Sequence, residues 1–416
     1  MTQSFDLIVI GVGMAAVTAA NKCASAGWSV AVVDELPYGG TCALRGCDPK
    51  KMLRRGAEII DAASLMNGKG IEPGSLAINW SDLMAFKRAF TEKMPPKIES
   101  GLDKNGVTTL HGSAKFIAEN IIEVDGKTRL QAKKILFVGG GFISFEFAHI
   151  AARAGSDVQI IDRGERPLKG FDPDLVDKLL ERSKEAGIEV VKKTSLISIA
   201  KEGSGYSVTL DVDGNIQEYS ADLIVHGAGR VPAIDDLDPD KAGVESDAHG
   251  VKVNEYLQSI SNPSIYAAGD AADTKGAPLT PVAVFEGKAV ASNMLKGNHA
   301  KPDYKGVPIV VFTIPELARV GMLEEEAKTA GYKLRIATND TSGWYSNLRV
   351  GETCAATKVI IDDETGKILG AHLLGPEYAE IINFFGLAMR LDLTTSELKK
   401  MVSAYPSVGS DVGSML

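Results

Sequence analysis

Gly39-Gly40-Thr41-Cys42-Ala43-Leu44-Arg45-Gly46-Cys47-Asp48-Pro49-Lys50-Lys51 follows directly on an apolar strand, a glycine turn, a helix and a second strand. The strand is Phe5–Ile10, and Gly11-Val12-Gly13-Met14-Ala15-Ala16 is a G-x-G-x-x-A turn. Val17–Ala26 reads as a helix ending at Gly27, and Ser29–Val33 as the second strand, closed by Asp34. In such a βαβ unit Gly11 and Gly13 let the backbone approach a pyrophosphate at a helix N-terminus, where the dipole favours an anion. Ala16 takes the last fingerprint position, and Asp34 stands at the spacing from which a carboxylate reaches a ribose hydroxyl.

Two cysteines five residues apart, Cys42 and Cys47, thus lie beside a nucleotide site. The chain has four cysteines, and Cys23 and Cys354 carry no such context. Two thiols beside a bound flavin make a centre that passes an electron pair through a disulfide, and FAD is therefore the nucleotide expected at this unit. The alternative is two ordinary small hydrophobes. An ideal helix would separate the two Cα atoms by roughly 8–9 Å, whereas a disulfide tolerates about 7 Å. The segment is therefore expected to bend, with Gly46 as the residue that permits it. A zinc site is disfavoured, because no second Cys/His pair lies at ligand spacing.

The chain has 416 residues, a length that predicts two or three domains. Hydrophobic content of 44% and charged content of 24% are ordinary for a globular protein. A net charge of −9 argues against nucleic acid as a partner. No apolar run reaches the length of a membrane span, and Met1-Thr2-Gln3-Ser4 lacks the basic region of a signal peptide. With so few cysteines, a cytoplasmic location is expected.

The pattern returns once. Lys134–Val138 reads as a strand, Gly139-Gly140-Gly141-Phe142-Ile143-Ser144 opens a helix running to Ala154, and Val158–Ile161 precedes Asp162. Gly139, Gly141 and Ser144 would cradle a second pyrophosphate, so a second dinucleotide, NADH or NADPH, is expected. Asp162 suits a ribose 2′-hydroxyl and so favours NADH, whereas Arg163 and Arg166 suit the 2′-phosphate of NADPH.

Taken together, these strings resemble the pyridine-nucleotide–disulfide oxidoreductases of the glutathione reductase, dihydrolipoamide dehydrogenase and mercuric reductase type, and the resemblance covers nearly the whole chain. It implies an α/β fold with two Rossmann-like dinucleotide-binding domains, for FAD and NAD(P), plus a C-terminal α+β dimerisation domain. The expected boundaries are 1–133 and 256–304 for the FAD domain, 134–255 for the NAD(P) domain and 305–416 for the dimerisation domain. Ser264-Ile265-Tyr266-Ala267-Ala268-Gly269-Asp270-Ala271-Ala272 resembles the second flavin motif, and Leu279-Thr280-Pro281-Val282-Ala283 the helix start beneath the flavin. The resemblance places Gly40, Thr41, Gly112, Gly269, Asp270, Thr280 and Ala283 at the flavin. By the same resemblance, Cys47 forms the charge-transfer thiolate and Cys42 exchanges with substrate, and a depressed thiol pKa is expected. Lys50 matches the lysine that approaches the flavin and Glu146 its ion-pair partner. Val311-Phe312-Thr313-Ile314-Pro315-Glu316 and Gly370–Gly375 resemble the interface domain, which implies a homodimer acting on a small-molecule disulfide or other electron acceptor.

Two departures stand out. In the disulfide reductases a C-terminal His-Pro-Thr…Glu motif supplies an acid–base from the partner subunit, whereas here Ala404-Tyr405-Pro406-Ser407 occupies that stretch. A histidine of pKa about 6.5 cycles its proton at neutral pH; an unperturbed tyrosine, near about 10, mostly does not. Asp411 would replace the glutamate only after a one-residue shift. The other departure is at Gln131–Val138, where the closing strand of the flavin domain and the opening strand of the nicotinamide domain are fused into a single run. Lys134–Val138 is expected to serve the nicotinamide domain, leaving the flavin sheet short of a strand. A disulfide reductase is therefore weighed against an NAD(P)H oxidase or quinone reductase (diaphorase) and against a catalytically weak nucleotide-binding homologue.

Overall fold

The computed structural model describes residues 2–118, 121–126, 128–137, 144–203, 205–225, 227, 229 and 231–416, the stretch 128–137 by its backbone alone. It divides into two compact units, Met1–Leu53 with Ser81–Phe142 and Gly229–Tyr304, and Arg54–Trp80 with Ile143–Ala228 and Lys305–Leu416.

In the first unit β1 (Gln3–Ile10), β2 (Val30–Asp34), β3 (Val107–His111), β4 (Ala114–Ala118), β5 (Ile121–Val124) and β6 (Thr128–Phe137) form one sheet in the order β3-β2-β1-β6-β5-β4. β14 (Ile265–Ala267) adds alongside β6 in parallel, and β12 (Ser246–Asp247), β13 (Gly250–Lys252) and β15 (Ala272–Asp273) make a small second sheet. The helices are α1 (Met14–Ser25), α2 (Gly40–Leu44), the start of α3 (Cys47–Leu65), α4 (Trp80–Thr91), α5 (Met94–Lys104) and α8 (Thr280–Lys296). Successive residues of β1 face opposite sides of the sheet, and both sides are apolar, as a central parallel strand requires. Leu7 and Val9 pack with Ala15, Ala16, Ala19 and Ala20 of α1 and with Val290 of α8. Ile8 and Ile10 pack with Phe116 and Ile122 on the other face. Small residues bring α1 and α8 close: a Cβ on Gly287 would stand 2.6 Å from the Ala15 carbonyl oxygen.

The fused strand resolves against the expectation. β6 runs parallel to β1 from Gln3↔Leu130 to Ile10↔Phe137, its first half also pairing antiparallel with β5 and its end pairing parallel with β14. Lys134–Phe137 therefore completes the flavin sheet and does not serve the nicotinamide half. β1 is buried on both faces and has no water to satisfy its backbone, so its second edge requires a partner. In the second unit β7 (Val158–Ile161) is paired, among the described residues, with β8 (Ile188–Val191) alone.

That unit also holds α6 (Ser144–Arg153), α7 (Pro173–Glu185) and an antiparallel meander of β9 (Thr194–Glu202), β10 (Gly205–Val212) and β11 (Asn215–Ala221). Its C-terminal part is a five-stranded antiparallel sheet ordered β16 (Ile309–Val311), β17 (Glu316–Gly321), β20 (Ile368–Gly375), β19 (Ala356–Asp362), β18 (Leu334–Asp340). The helices here are α9 (Glu324–Thr329), α10 (Tyr345–Leu348), α11 (Tyr378–Arg390) and α12 (Thr395–Leu398). One stripe of α11, Ile381, Ile382, Phe385 and Ala388, packs on this sheet, while Leu387 and Leu391 are exposed. Phe145, Leu175 and Leu179 join Leu317, Ala356 and Leu374 in a second cluster.

A buried ionic network ties α3 to its neighbours in this unit. Arg153 donates to Asp61 (2.6 Å), as does Arg182 (3.2 Å), and Arg54 donates to the carbonyls of Phe312 (2.9 Å) and Thr313 (2.8 Å). Among the described residues no helix is long and apolar enough to cross a membrane, and no group of three His, Cys, Asp or Glu stands ready to hold a metal ion.

Candidate functional site

The first fingerprint places its residues around the N-terminus of α1. Gly11 has φ +84°, and Gly13 is the N-cap residue, with no side chain capping the first turn. Asp34, at the end of β2, accepts from the amides of Val12 (2.7 Å) and Leu36 (2.9 Å), so its carboxylate fixes the turn. Gly40 has φ +60°, and a Cβ there would lie 2.8 Å from the Cα of Gly13. The cysteine loop is thus seated on the glycine turn before α1 by two glycines. Gly112, at φ +145°, donates its N–H to the Asp34 carbonyl (3.0 Å). Ala16 is buried beneath the turn. An uncapped helix start in a side-chain-free cradle fits the pyrophosphate of FAD.

The cysteine segment bends as its spacing requires. α2, carrying Thr41 and Cys42, ends at Leu44, and α3 begins at Cys47. The bend is carried by Arg45 (φ −133°); Gly46 serves instead for close approach, since a Cβ there would meet the Thr41 carbonyl oxygen at 2.9 Å. The pair is in its dithiol form. The Cys42 thiol hydrogen-bonds to the Cys47 sulfur, and this bond is the largest cause lowering Cys47 to about 6. The Thr280 hydroxyl, 3.5 Å away, and the nearby Lys50 ammonium lower it further, while burial opposes them. The same thiol–thiol bond, and then burial, raises Cys42 far above the usual thiol range. The negative charge of the reduced pair therefore resides on Cys47, at a helix N-terminus that also favours it. Lys50 is buried one turn along α3.

Gly269 and Asp270 form a turn after β14, with Gly269 at φ +66°. Thr280 and Ala283 lie in the first turn of α8. A cavity of about 310 Å³ opens beside the turn, lined by Gly269, Asp270, Thr274, Val282 and Glu286 among others. Glu286 and Tyr304 escaped the sequence reading. A carboxylate within a run of buried apolar helix positions was the available signal, and burial pushes that carboxyl above the usual range.

In the second unit, Gly139 and Gly141 lie outside the described residues. Ser144 opens α6 and donates to the Gly227 carbonyl (3.1 Å). Asp162 follows β7 and accepts from the Gly164 amide (2.6 Å), while Arg163 is exposed. Glu146 is buried and accepts from the Phe312 amide (2.9 Å). Tyr405 is 80% exposed. Asp411 accepts from the Ser346 hydroxyl, an anchor for the C-terminal turn.

A nucleotide-binding sheet, a cysteine pair with one stabilised thiolate and a separate antiparallel domain together define a flavin-type disulfide oxidoreductase. Comparison with known proteins agrees. The chain matches the family "Pyridine nucleotide-disulphide oxidoreductase" over residues 5–137 and again over 122–287, and that family's dimerisation domain over 307–415. The chain belongs to this family, whose members are oxidoreductases using FAD and NAD(P)H. The two matches to this one family overlap at residues 122–137, a stretch that contains the whole of β6. A glutathione reductase of Nostoc sp. is 30% identical over 463 aligned positions, covering 100% of both chains. The alignment is longer than this chain, so part of that relative has no counterpart here. A mercuric reductase of Lysinibacillus sphaericus is 28% identical over 97% of this chain and 80% of its own. The solved structure of the HOCl-induced flavoprotein disulfide reductase RclA from Escherichia coli, a Cu(II) complex, shares the fold, with TM-score 0.87, 24% identity and 100% and 99% coverage.

Proposed function

We propose that the chain is an NAD(P)H-dependent reductase of a small disulfide, working through Cys42 and Cys47. The observation that carries this reading is the asymmetry of the pair, with Cys47 lowered to about 6 and Cys42 holding the proton. Gly11, Gly13, Asp34, Gly40, Thr41, Gly112, Gly269, Asp270, Thr280 and Ala283 would hold FAD, and Ser144 and Asp162 the nicotinamide nucleotide. When bound, FAD supplies the two-electron relay between nicotinamide and disulfide.

The remaining chemistry belongs to the two thiols. Cys42, on losing its proton, attacks one sulfur of the substrate disulfide and releases the first thiol, which takes up a proton. The Cys47 thiolate then attacks Cys42 in the mixed disulfide, releasing the second thiol and forming the Cys42–Cys47 disulfide. The substrate gains two electrons from the pair, one proton from Cys42 and a second proton from solvent, because Cys47 is already ionised. Thr280 and Lys50 hold the charge on Cys47 while Cys42 reacts.

Asp162, bonded to the Gly164 amide, supports NADH, because a fixed carboxylate accepts from a ribose hydroxyl and repels a phosphate. The exposed Leu387 of α11, the exposed Leu391 just past its end and the match to the dimerisation domain support a homodimer. A second reading, reduction of quinones or similar small acceptors, is supported by Tyr405 at the place of the family's histidine.

The test is an anaerobic titration of the purified protein with NADH and, separately, NADPH, followed by absorption. A thiolate–flavin charge-transfer band on two-electron reduction is expected, sooner with NADH. Bleaching without that band would favour the quinone reading.

A further inference from the structure

Glu286 is the one carboxylate of α8, and it is 1% exposed among Val282, Ala283 and Val290. Packing does not call for a charge there, and burying a carboxylate is unfavourable unless donors meet it. Three do. The Gly269 amide donates to Oε2 at 2.6 Å, and the hydroxyls of Thr274 (3.0 Å) and Tyr304 (2.6 Å) donate to Oε1. None of the three belongs to the helix that carries Glu286. They come from the Gly269–Asp270 turn, from the loop after it and from the segment beyond α8. Gly276, in that loop, has no room for a side chain: its Cβ would lie 2.9 Å from Oε1. The Gly269 backbone sits at φ +66°, one of several conformations open to a glycine, so a hydrogen bond to its amide selects among them.

We propose that Glu286 is a positioning residue for FAD: it accepts from the Gly269 amide and so fixes the Gly269–Asp270 turn in its cofactor-holding form. The inference rests on the reading that this turn holds FAD. The side chain touches no reacting atom and acts through Gly269 alone.

The experiment strips the flavin and titrates the folded apo-protein with FAD, following quenching of FAD fluorescence, with apo melting temperature measured beside it. Glu286→Ala is expected to weaken FAD about tenfold or more. Glu286→Gln keeps an acceptor for Gly269 and is expected to stay within about threefold. An Asp270→Ala control reports on the turn itself. If Asp270→Ala weakens FAD and Glu286→Ala does not, the inference is overturned and the reading of the turn stands. If neither variant changes affinity, the reading of the turn fails and the inference falls with it. A lowered apo melting temperature with unchanged FAD affinity would make Glu286 merely structural and overturn the inference. Should Glu286→Ala not fold, the double variant Thr274→Val/Tyr304→Phe removes both donors to Oε1 and frees the carboxylate to leave Gly269. Weaker FAD binding is expected there too, and unchanged affinity overturns the inference.

Discussion

Cys47 Sγ lies 3.5 Å from the hydroxyl oxygen of Thr280, the first residue of α8, although 233 residues separate them in the chain. The contact joins the cysteine loop to the far arm of the flavin unit. It also stabilises one protonation state, since a hydroxyl donating to a thiolate favours the charged form. Removing it by Thr280→Val takes away a hydrogen bond to a charged group, worth about 1.5–3 kcal/mol, or about one to two pH units.

The sign follows directly. Alkylation by iodoacetamide needs the thiolate, so its rate climbs as pH rises through the thiol pKa. In the reduced protein carrying Cys23→Ala and Cys354→Ala, the Cys47 rate is expected to reach half its plateau near pH 6. Thr280→Val moves that midpoint upward. A midpoint unmoved by Thr280→Val would show that Thr280 does not stabilise the thiolate.

Cys42→Ser separates the two functional readings. Without Cys42 no mixed disulfide forms, so reduction of glutathione-like disulfides is expected to fall at least about a thousandfold, as for loss of a nucleophile. NADH-dependent quinone reduction, which needs no thiol, is expected to persist. Steady-state rates with both acceptors check this, and disulfide turnover that survives Cys42→Ser would remove Cys42 from the reaction.

Much of this site was legible in the sequence because its determinants are local. Gly11, Gly13 and Asp34 stand at fixed offsets in one βαβ unit, and the bend between Cys42 and Cys47 follows from their spacing. The destination of β6 was not legible. Lys134–Phe137 continues into a glycine run that reads as the second fingerprint, and only the pairing with β1 and β14 shows which sheet it completes. Edge satisfaction is a tertiary requirement and leaves no local signal. The family resemblance places Thr280 at the flavin, but its contact with Cys47, like that of Glu286 with Gly269, was hidden for the same reason: each partner is remote in sequence. Gly46 is indeed a position that needs glycine, but the spacing argument points to its conformation, whereas what it supplies is space beside the Thr41 carbonyl.

Gly40→Ala tests the seating of the cysteine loop on the fingerprint. The new Cβ meets the Gly13 Cα at 2.8 Å and the backbone is held at φ +60°. Strain of about 1–3 kcal/mol is expected, with a lower melting temperature and weaker FAD retention on gel filtration. Gly27→Ala, where a Cβ meets nothing within 4 Å but φ is +90°, isolates the conformational part. Equal losses at both positions would deny any role for the Gly13 contact.

Asp61→Asn probes the buried network of the second unit. Arg153 and Arg182 both donate to this carboxylate, and all three side chains are largely buried. Neutralising Asp61 removes the anion paired with Arg153 and leaves Arg182 to Glu352 (3.7 Å) and Glu185 (3.6 Å), and breaking such a buried pair costs about 3–5 kcal/mol. Urea unfolding is expected to show a loss of that order, whereas Lys301→Gln, removing an exposed ion pair with Glu255, changes stability by under about 1 kcal/mol. Comparable small losses for both variants would mean the network contributes nothing beyond surface pairing.

Tyr405 carries the question of substrate. Proton transfer to a departing thiolate is efficient when the donor titrates near the working pH, which a histidine does and an unperturbed tyrosine does not. Tyr405 is 80% exposed on its own chain, so a histidine at this position meets no packing obstacle. Tyr405→His is therefore expected to raise kcat/KM for glutathione-type disulfides by about 10- to 100-fold, within the range of general acid–base catalysis. The gain should follow a bell-shaped pH profile with a limb near pH 6.5, absent from the parent and from Tyr405→Phe. No gain would mean that position 405 does not reach the thiol chemistry even in the assembled dimer, and the quinone reading would then be preferred.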